Sequence, residues 1–157
     1  MRDDFAMKLL AHLLSLILLT LAAIHVYWGM GGVWPAASEK ALIDTVIGFP
    51  GMTDMPSANS TYVVAVLLFI AAVIAQSGGV RLSPALRWVS RITMTGVGIV
   101  FFARGVGGYF FKYLAWDPVE PFATFNRLFY SPLCLAIATG FFLLLIRQNK
   151  LKRDSVS

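Results

Sequence analysis

Leu9–Trp28 reads LLAHLLSLILLTLAAIHVYW, twenty residues without a formal charge. At 1.5 Å per residue a helix of that length covers about 30 Å, the thickness of a bilayer's hydrocarbon core. Three further runs have the same character: Tyr62 to about Val80, about Trp88 to Phe111, and about Asn126 to Ile146. They predict an all-α, integral membrane four-helix bundle with helices at about 9–31, 61–79, 87–112 and 126–147. A short polar tail, 150–157, is expected to fray. The fourth run depends on Pro132, one to two turns inside it, where a kink or an interfacial first turn is expected. The first run also follows Arg2 and Lys8 as a signal peptide would, and Ala36-Ala37-Ser38 is a passable cleavage triplet, but its apolar core is longer than a 7–15-residue signal core.

Composition agrees with the membrane reading. Charged residues are 13% of the 157 and hydrophobic residues 58%. An ordinary soluble domain carries roughly 25% charge, and one this small keeps too much surface exposed to hide the apolar excess. The net charge of +5 comes from Lys and Arg at segment ends and forms no stripe for nucleic acid. One cysteine, Cys134, excludes an intramolecular disulfide and any CxxC motif; it reads as a small packed residue.

Orientation follows from where the cations fall. Arg2 and Lys8 precede run one; Arg81, Arg87 and Arg91 lie between runs two and three; Arg147, Lys150, Lys152 and Arg153 follow run four. The other side holds Glu39, Asp44, Asp54, Asp117 and Glu120, with Lys40, Lys112 and Arg127. The expectation is N-in/C-in in a cytoplasmic membrane. Tyr27, Trp28, Trp34, Tyr109, Tyr113, Trp116 and Tyr130 mark the outer interface as an aromatic belt. The outer loop from Val33 to Ser60 contains Pro35, Pro50 and Pro56 and is too long for a turn, so it is expected to cover the outer face.

The outer half also collects the unusual polar residues. His25, Trp28, Gly29 and Gly32 share one helical face, and Arg104, Gly107, Gly108 and Phe111 share another. His25 and Arg104 each precede their outer boundary by seven residues, about 10 Å. A guanidinium inside a span costs about 2.5 kcal/mol or more on insertion scales and calls for a partner; the alternative is that Arg104 snorkels to the headgroups. Glu120, Asn126, Arg127 and Tyr130 follow in a third segment, and read either as donors and acceptors of the same pocket or as a loop that starts a helix. His25 reads as a pocket residue or as one bonded to a neighbouring helix. His12 and His25 are 13 residues apart, on nearly opposite faces, so one chain has no bis-histidine haem pair. Met52 and Met55 have the MxxM spacing of a soft thioether site, a weak metal signal without further ligands. No cofactor is expected.

Three segments carry a family resemblance: His25-x-Tyr27-Trp28-x-x-Gly31-Gly32, Arg104-Gly105-x-Gly107-Gly108-Tyr109, and Asn126-Arg127-x-x-Tyr130-Ser131-Pro132-Leu133-Cys134. Together they resemble the bacterial family called domain of unknown function 3995, over essentially the whole chain. The resemblance implies a small four-helix bacterial membrane protein and assigns no reaction. Three readings of function follow from the residues. A pocket lined by His25, Tyr27, Trp28, Arg104, Tyr109, Glu120, Asn126, Arg127 and Tyr130 would bind a small amphipathic or anionic ligand, such as a lipid headgroup or a quinone-like molecule. Alternatively, the glycine faces Gly96-Val97-Gly98 and Gly105-Val106-Gly107-Gly108 would pack against a membrane-protein partner or a second copy. An enzyme or redox carrier using His25 has the least support, since no second strong acid stands beside it.

Overall fold

The structure, a computed structural model, describes residues 2–78, 80, 82–114 and 116–153. Gly79, Arg81 and the tail 154–157 lie outside the described residues, as do the side chains of Arg2, Lys150, Lys152 and Arg153. Every regular element is helical: α1 (Arg2–Gly29), α2 (Glu39–Val46), α3 (Ala58–Ser77), α4 (Pro84–Leu114), α5 (Phe122–Phe125) and α6 (Ser131–Arg153), with a π-helical turn over Asn126–Tyr130 joining the last two. Four stretches, Asp4–Gly29, Ala58–Ser77, Pro84–Leu114 and Phe122–Asn149, are long and apolar enough to cross a membrane. A third or less of the apolar stretch in each is buried inside the protein, so the remainder suits lipid and not water.

All four spans begin before the expected starts, by three to seven residues; α1 and α3 end two residues short of the expected ends, and α4 and the last span run at least two residues past them. α6 continues to Arg153, into the stretch expected to fray. No break occurs at Pro132. A proline ring collides with the carbonyl four residues back and offers no N–H. Here the turn before it widens, with Ser131 N donating to Asn126 O in a five-residue step, and the chain passes from α5 through the π turn into α6. The proline is absorbed by a wider turn, and the helix continues through it without interruption.

Packing divides the bundle into two close pairs, α1 with α3 and α4 with α6, joined more loosely by α1–α6 and α3–α4 contacts. In lipid, apolar surface gives no drive to associate, so close approach of small residues has to supply it. α1 and α3 meet through Ala11, Leu14, Leu18 and Ala22 against Leu68, Ala71, Ala72 and Ala75. α4 and α6 meet through glycines. A Cβ at Gly105 would lie 2.7 Å from Leu135 Cγ, one at Gly98 2.8 Å from the Phe142 ring, and one at Gly108 2.1 Å from Ser131 Oγ. Three of the glycines read as a surface for a second protein are thus spent inside the chain, whereas Gly96 and Gly107 face open space.

Both ends of the bundle are tied. At the end carrying the termini, Arg147 of α6 reaches Asp4 of α1 at 2.7 Å. Gln148 Nε2 donates to Ser77 O at 3.1 Å and Ser90 Oγ at 3.0 Å. Ser77 Oγ lies 2.7 Å from Ser90 Oγ and donates to Ile74 O, so a directed chain runs Gln148, Ser90, Ser77 across α6, α4 and α3. At the opposite, loop end, the segment after α1 folds over the bundle as expected. Ser38 caps α2, accepting from Ala41 N, while Leu42 and Ile43 are fully buried. Tyr130 O–H donates to Thr45 O at 3.0 Å and Val119 N to Gly48 O at 3.1 Å. Gly48 has φ +70°, and a Cβ there would lie 2.3 Å from the Phe122 ring, so only glycine fits.

Candidate functional site

Arg104 lies ten residues before the end of α4. Its guanidinium reaches one turn further toward the loop end, to the level of Gly108, and stops there. Nη1 donates to Asn126 Oδ1 at 3.0 Å, and Cζ stands 5.1 Å from the centroid of the Phe111 ring. Asn126, the first residue of the π turn, is 3% exposed. Its Nδ2 donates to Gly108 O at 2.6 Å, and its Oδ1 also accepts from Ser131 Oγ at 3.3 Å. Glycine at 108 is what lets α6 come near enough for these bonds. The wide turn, required by Pro132, starts at Asn126 itself.

A guanidinium has five donors. Among the described residues, Asn126 Oδ1 is the acceptor Arg104 finds, and no carboxylate lies within ion-pair distance. Nε and Nη2 have no hydrogen-bond partner among the described residues and are not fully enclosed. The side chain lines one end of an apolar groove of about 550 Å³ between α3 and α4. Val64, Leu67, Ile70 and Ile74 form one wall and Thr93, Gly96, Val100 and Arg104 the other. The volume falls within the ~300–1,000 Å³ of small-molecule pockets. The groove follows the helices for about 16 Å, from Thr93 to Arg104 at 1.5 Å per residue.

An aromatic cap closes the loop end beside this site. Trp116 stacks on Phe111 at 5.2 Å and meets Phe49 at 5.1 Å; Phe122 meets Phe111 at 6.2 Å and Tyr130 at 5.9 Å. Trp116 was expected in the interfacial belt. It is half-buried at that end, stacked on Phe111, and its Nε1 has no partner among the described residues. Tyr27, Trp34, Tyr109 and Tyr113 are exposed, as a belt requires.

The other candidate residues separate into groups. Tyr109 O–H donates to Arg127 O at 3.3 Å, clamping α4 to the π turn, while the Arg127 side chain is exposed. Glu120 accepts from Thr124 N and Oγ1, capping its own turn, and Tyr130 ties the loop as described. His25 Nδ1 donates to Leu21 O at 2.8 Å within α1 and its ring lies 5.1 Å from Trp28; Trp28 Nε1 donates to Trp34 O at 2.7 Å. The Tyr27 ring fills the space beside Gly32. A second cavity of about 320 Å³ lies here, lined by Trp28, Gly29, Glu39, Leu42, Met55 and neighbours. It shares no lining residue with the α3–α4 groove, and no hydrogen bond or ring contact links His25 or Trp28 to Arg104. The single pocket expected from matched depth is therefore two places, Arg104 with Asn126 and His25 with Trp28. Met55 lines the second cavity and Met52 does not. Among the described residues no three of His, Cys, Asp and Glu gather as metal ligands.

Sequence reasoning missed the groove and the Ser77–Ser90–Gln148 chain. The available signals were Gly96 on the open face of α4, and polar Ser77, Ser90 and Gln148 at the ends of apolar runs.

A bundle of four apolar spans with a half-buried arginine beneath an aromatic cap is a small polytopic helical membrane protein. The chain belongs to the family described as protein of unknown function (DUF3995), whose model matches residues 18–141, a stretch that includes Arg104, Asn126 and the groove. No curated protein and no solved structure matches the chain.

Proposed function

We propose that the protein binds an anionic amphiphile, its head at Arg104 and its apolar part in the α3–α4 groove. The carrying observation is a guanidinium inside a span with one acceptor, no carboxylate and an apolar groove at its side. The Phe111 face and the neutral Asn126 oxygen leave the charge without a counter-ion among the described residues, and a bound anion would supply one. We further propose that the membrane is a bacterial inner membrane with the loop end outside and both termini cytoplasmic. Arg87 and Arg91, with Arg147 at the opposite end from Glu39, Asp54 and Glu120, support that orientation.

The test is composition. Wild type and Arg104→Gln, purified from their own membranes in mild detergent, are compared by native mass spectrometry. The wild type is expected to carry an anionic adduct that Arg104→Gln lacks. Identical adduct patterns in both proteins would sink the proposal. An assembly role through glycine faces loses most of its basis, because Gly98, Gly105 and Gly108 pack internally.

A further inference from the structure

The proposed function leaves the chemistry of the head and tail open between a lipid headgroup and a quinone-like molecule. We infer that the occupant is a single-chain fatty acid whose carboxylate docks on the Nε/Nη2 edge of Arg104 and whose acyl chain lies in the α3–α4 groove. This inference rests on the proposed function and narrows it.

Three observations select that chemistry. First, part of the guanidinium is already engaged. One N–H of Nη1 goes to Asn126, and the Phe111 ring stands over one face, 5.1 Å from Cζ. The Nε/Nη2 edge has no partner among the described residues, and its two parallel N–H groups match two oxygens held in one plane. A carboxylate presents that pair. A quinone carbonyl presents one neutral acceptor and leaves the charge uncompensated.

Second, the depth suits an amphiphile in its ordinary register. α4 has 31 residues, about 46 Å, so it overhangs a 30 Å hydrocarbon core by about 8 Å at each end when centred. The guanidinium, at the level of Gly108, lies six residues or about 9 Å before Leu114. That is the hydrocarbon boundary, where a fatty-acid carboxylate resides. The groove then descends from this point into the hydrocarbon layer.

Third, the space fits one chain. A volume of about 550 Å³ holds about eighteen groups of the size of a water molecule, close to one long acyl chain and too small for two. Gly96 supplies part of that room, since no atom lies within 4 Å of where its Cβ would be.

The experiment compares three probes of known structure: palmitate, hexadecanol and phosphatidylglycerol. Each is titrated into delipidated wild type, Arg104→Gln, Arg104→Lys and Gly96→Leu, and retention is read by native mass spectrometry. Gly96→Leu fills the groove from a position with open space, so it folds even where an arginine variant does not. Wild type is expected to retain palmitate at a concentration at least tenfold lower than hexadecanol. Arg104→Gln should lose that preference, Arg104→Lys should keep part of it, and Gly96→Leu should lose both probes. Equal retention of palmitate and hexadecanol overturns this inference, and retention of all three probes that is equal and unaffected by Arg104→Gln overturns the anionic-ligand proposal as well. Preferential, Arg104-dependent retention of phosphatidylglycerol overturns the fatty acid and leaves the broader proposal standing. Palmitate retention unaffected by Gly96→Leu removes the groove from the argument.

Discussion

Gly108→Ala tests the contact on which the Arg104 site is built. The added Cβ would lie 2.1 Å from Ser131 Oγ, 2.7 Å from Arg104 Nη1 and 3.1 Å from Asn126 Oδ1. The guanidinium is the far end of a flexible chain and can move. Ser131 is fully buried on the first turn of α6, and Asn126 is held to Gly108 O at 2.6 Å. The two helices therefore have to part by roughly 1 Å, and overpacking of this kind costs about 1–3 kcal/mol. Ser131→Ala removes the atom in closest conflict and loses a 3.3 Å bond to Asn126 Oδ1, about 0.6 kcal/mol in a membrane. The double variant should then be more stable than the sum of the singles by about 1 kcal/mol, within the range for residues in contact. Gly107→Ala is the internal control, because nothing lies within 4 Å of its Cβ position; its effect should stay within about 0.5 kcal/mol. Reversible SDS-induced unfolding in mixed micelles, followed by tryptophan fluorescence, measures all five proteins. Strict additivity, or equal costs at 107 and 108, would refute the close α4–α6 approach.

Three smaller tests follow. Tyr130→Phe deletes the O–H bond to Thr45 O, a loss of about 0.5–1.5 kcal/mol that should speed tryptic cleavage at Lys40 in a gel time course; an unchanged rate would show the loop is held elsewhere. Gln148→Leu keeps the volume but removes the bonds to Ser77 O and Ser90 Oγ, and should cost about 1 kcal/mol in the same unfolding assay, with no loss counting against the chain of bonds described. Asp4→Asn should leave the unfolding midpoint nearly unchanged, since the Asp4 carboxylate in its bond to Arg147 is largely exposed; a clear loss would mean the pair anchors α1.

The four spans were legible because the bilayer imposes a length and an apolar composition that Leu9–Trp28 meets without ambiguity. Arg104 was legible for the same reason, as a charge in a medium that penalises charge. What hydropathy does not encode is which face of a helix meets which neighbour. Gly107 and Gly108 are adjacent in sequence and identical in type, yet one lies against Ser131 and the other against nothing. The matched depths of His25 and Arg104 were read as proximity. Depth fixes one coordinate, and the pairing of α1 with α3 and of α4 with α6 put the two residues at different sites. The wide turn at Asn126 was hidden because Pro132 predicts a disturbance without saying how the chain absorbs it. The Ser77–Ser90–Gln148 chain is not legible in the sequence because each residue alone reads as an ordinary interfacial polar group; only their convergence from three helices makes a buried network.

The loose seam between α3 and α4 is a consequence of how the chain spends its small residues. Alanines draw α1 onto α3, and Gly98, Gly105 and Gly108 draw α4 onto α6, so little remains to bring the two pairs together along their length. Polar bonds clamp the pairs instead. At one end Gln148 and Ser90 bridge to Ser77; at the other, Tyr130 of the π turn holds the loop between α1 and α3 through Thr45. Between those clamps the walls of the seam are Val64, Leu67, Ile70 and Ile74 facing Thr93, Gly96 and Val100, with no polar bond across them among the described residues. A bundle fixed at both ends and open in the middle cannot collapse the gap without breaking one clamp, and a gap of this size between apolar walls is filled in a membrane by a chain from the lipid phase. Arg104 stands at the end of that gap, where the proposed ligand would place its negative head.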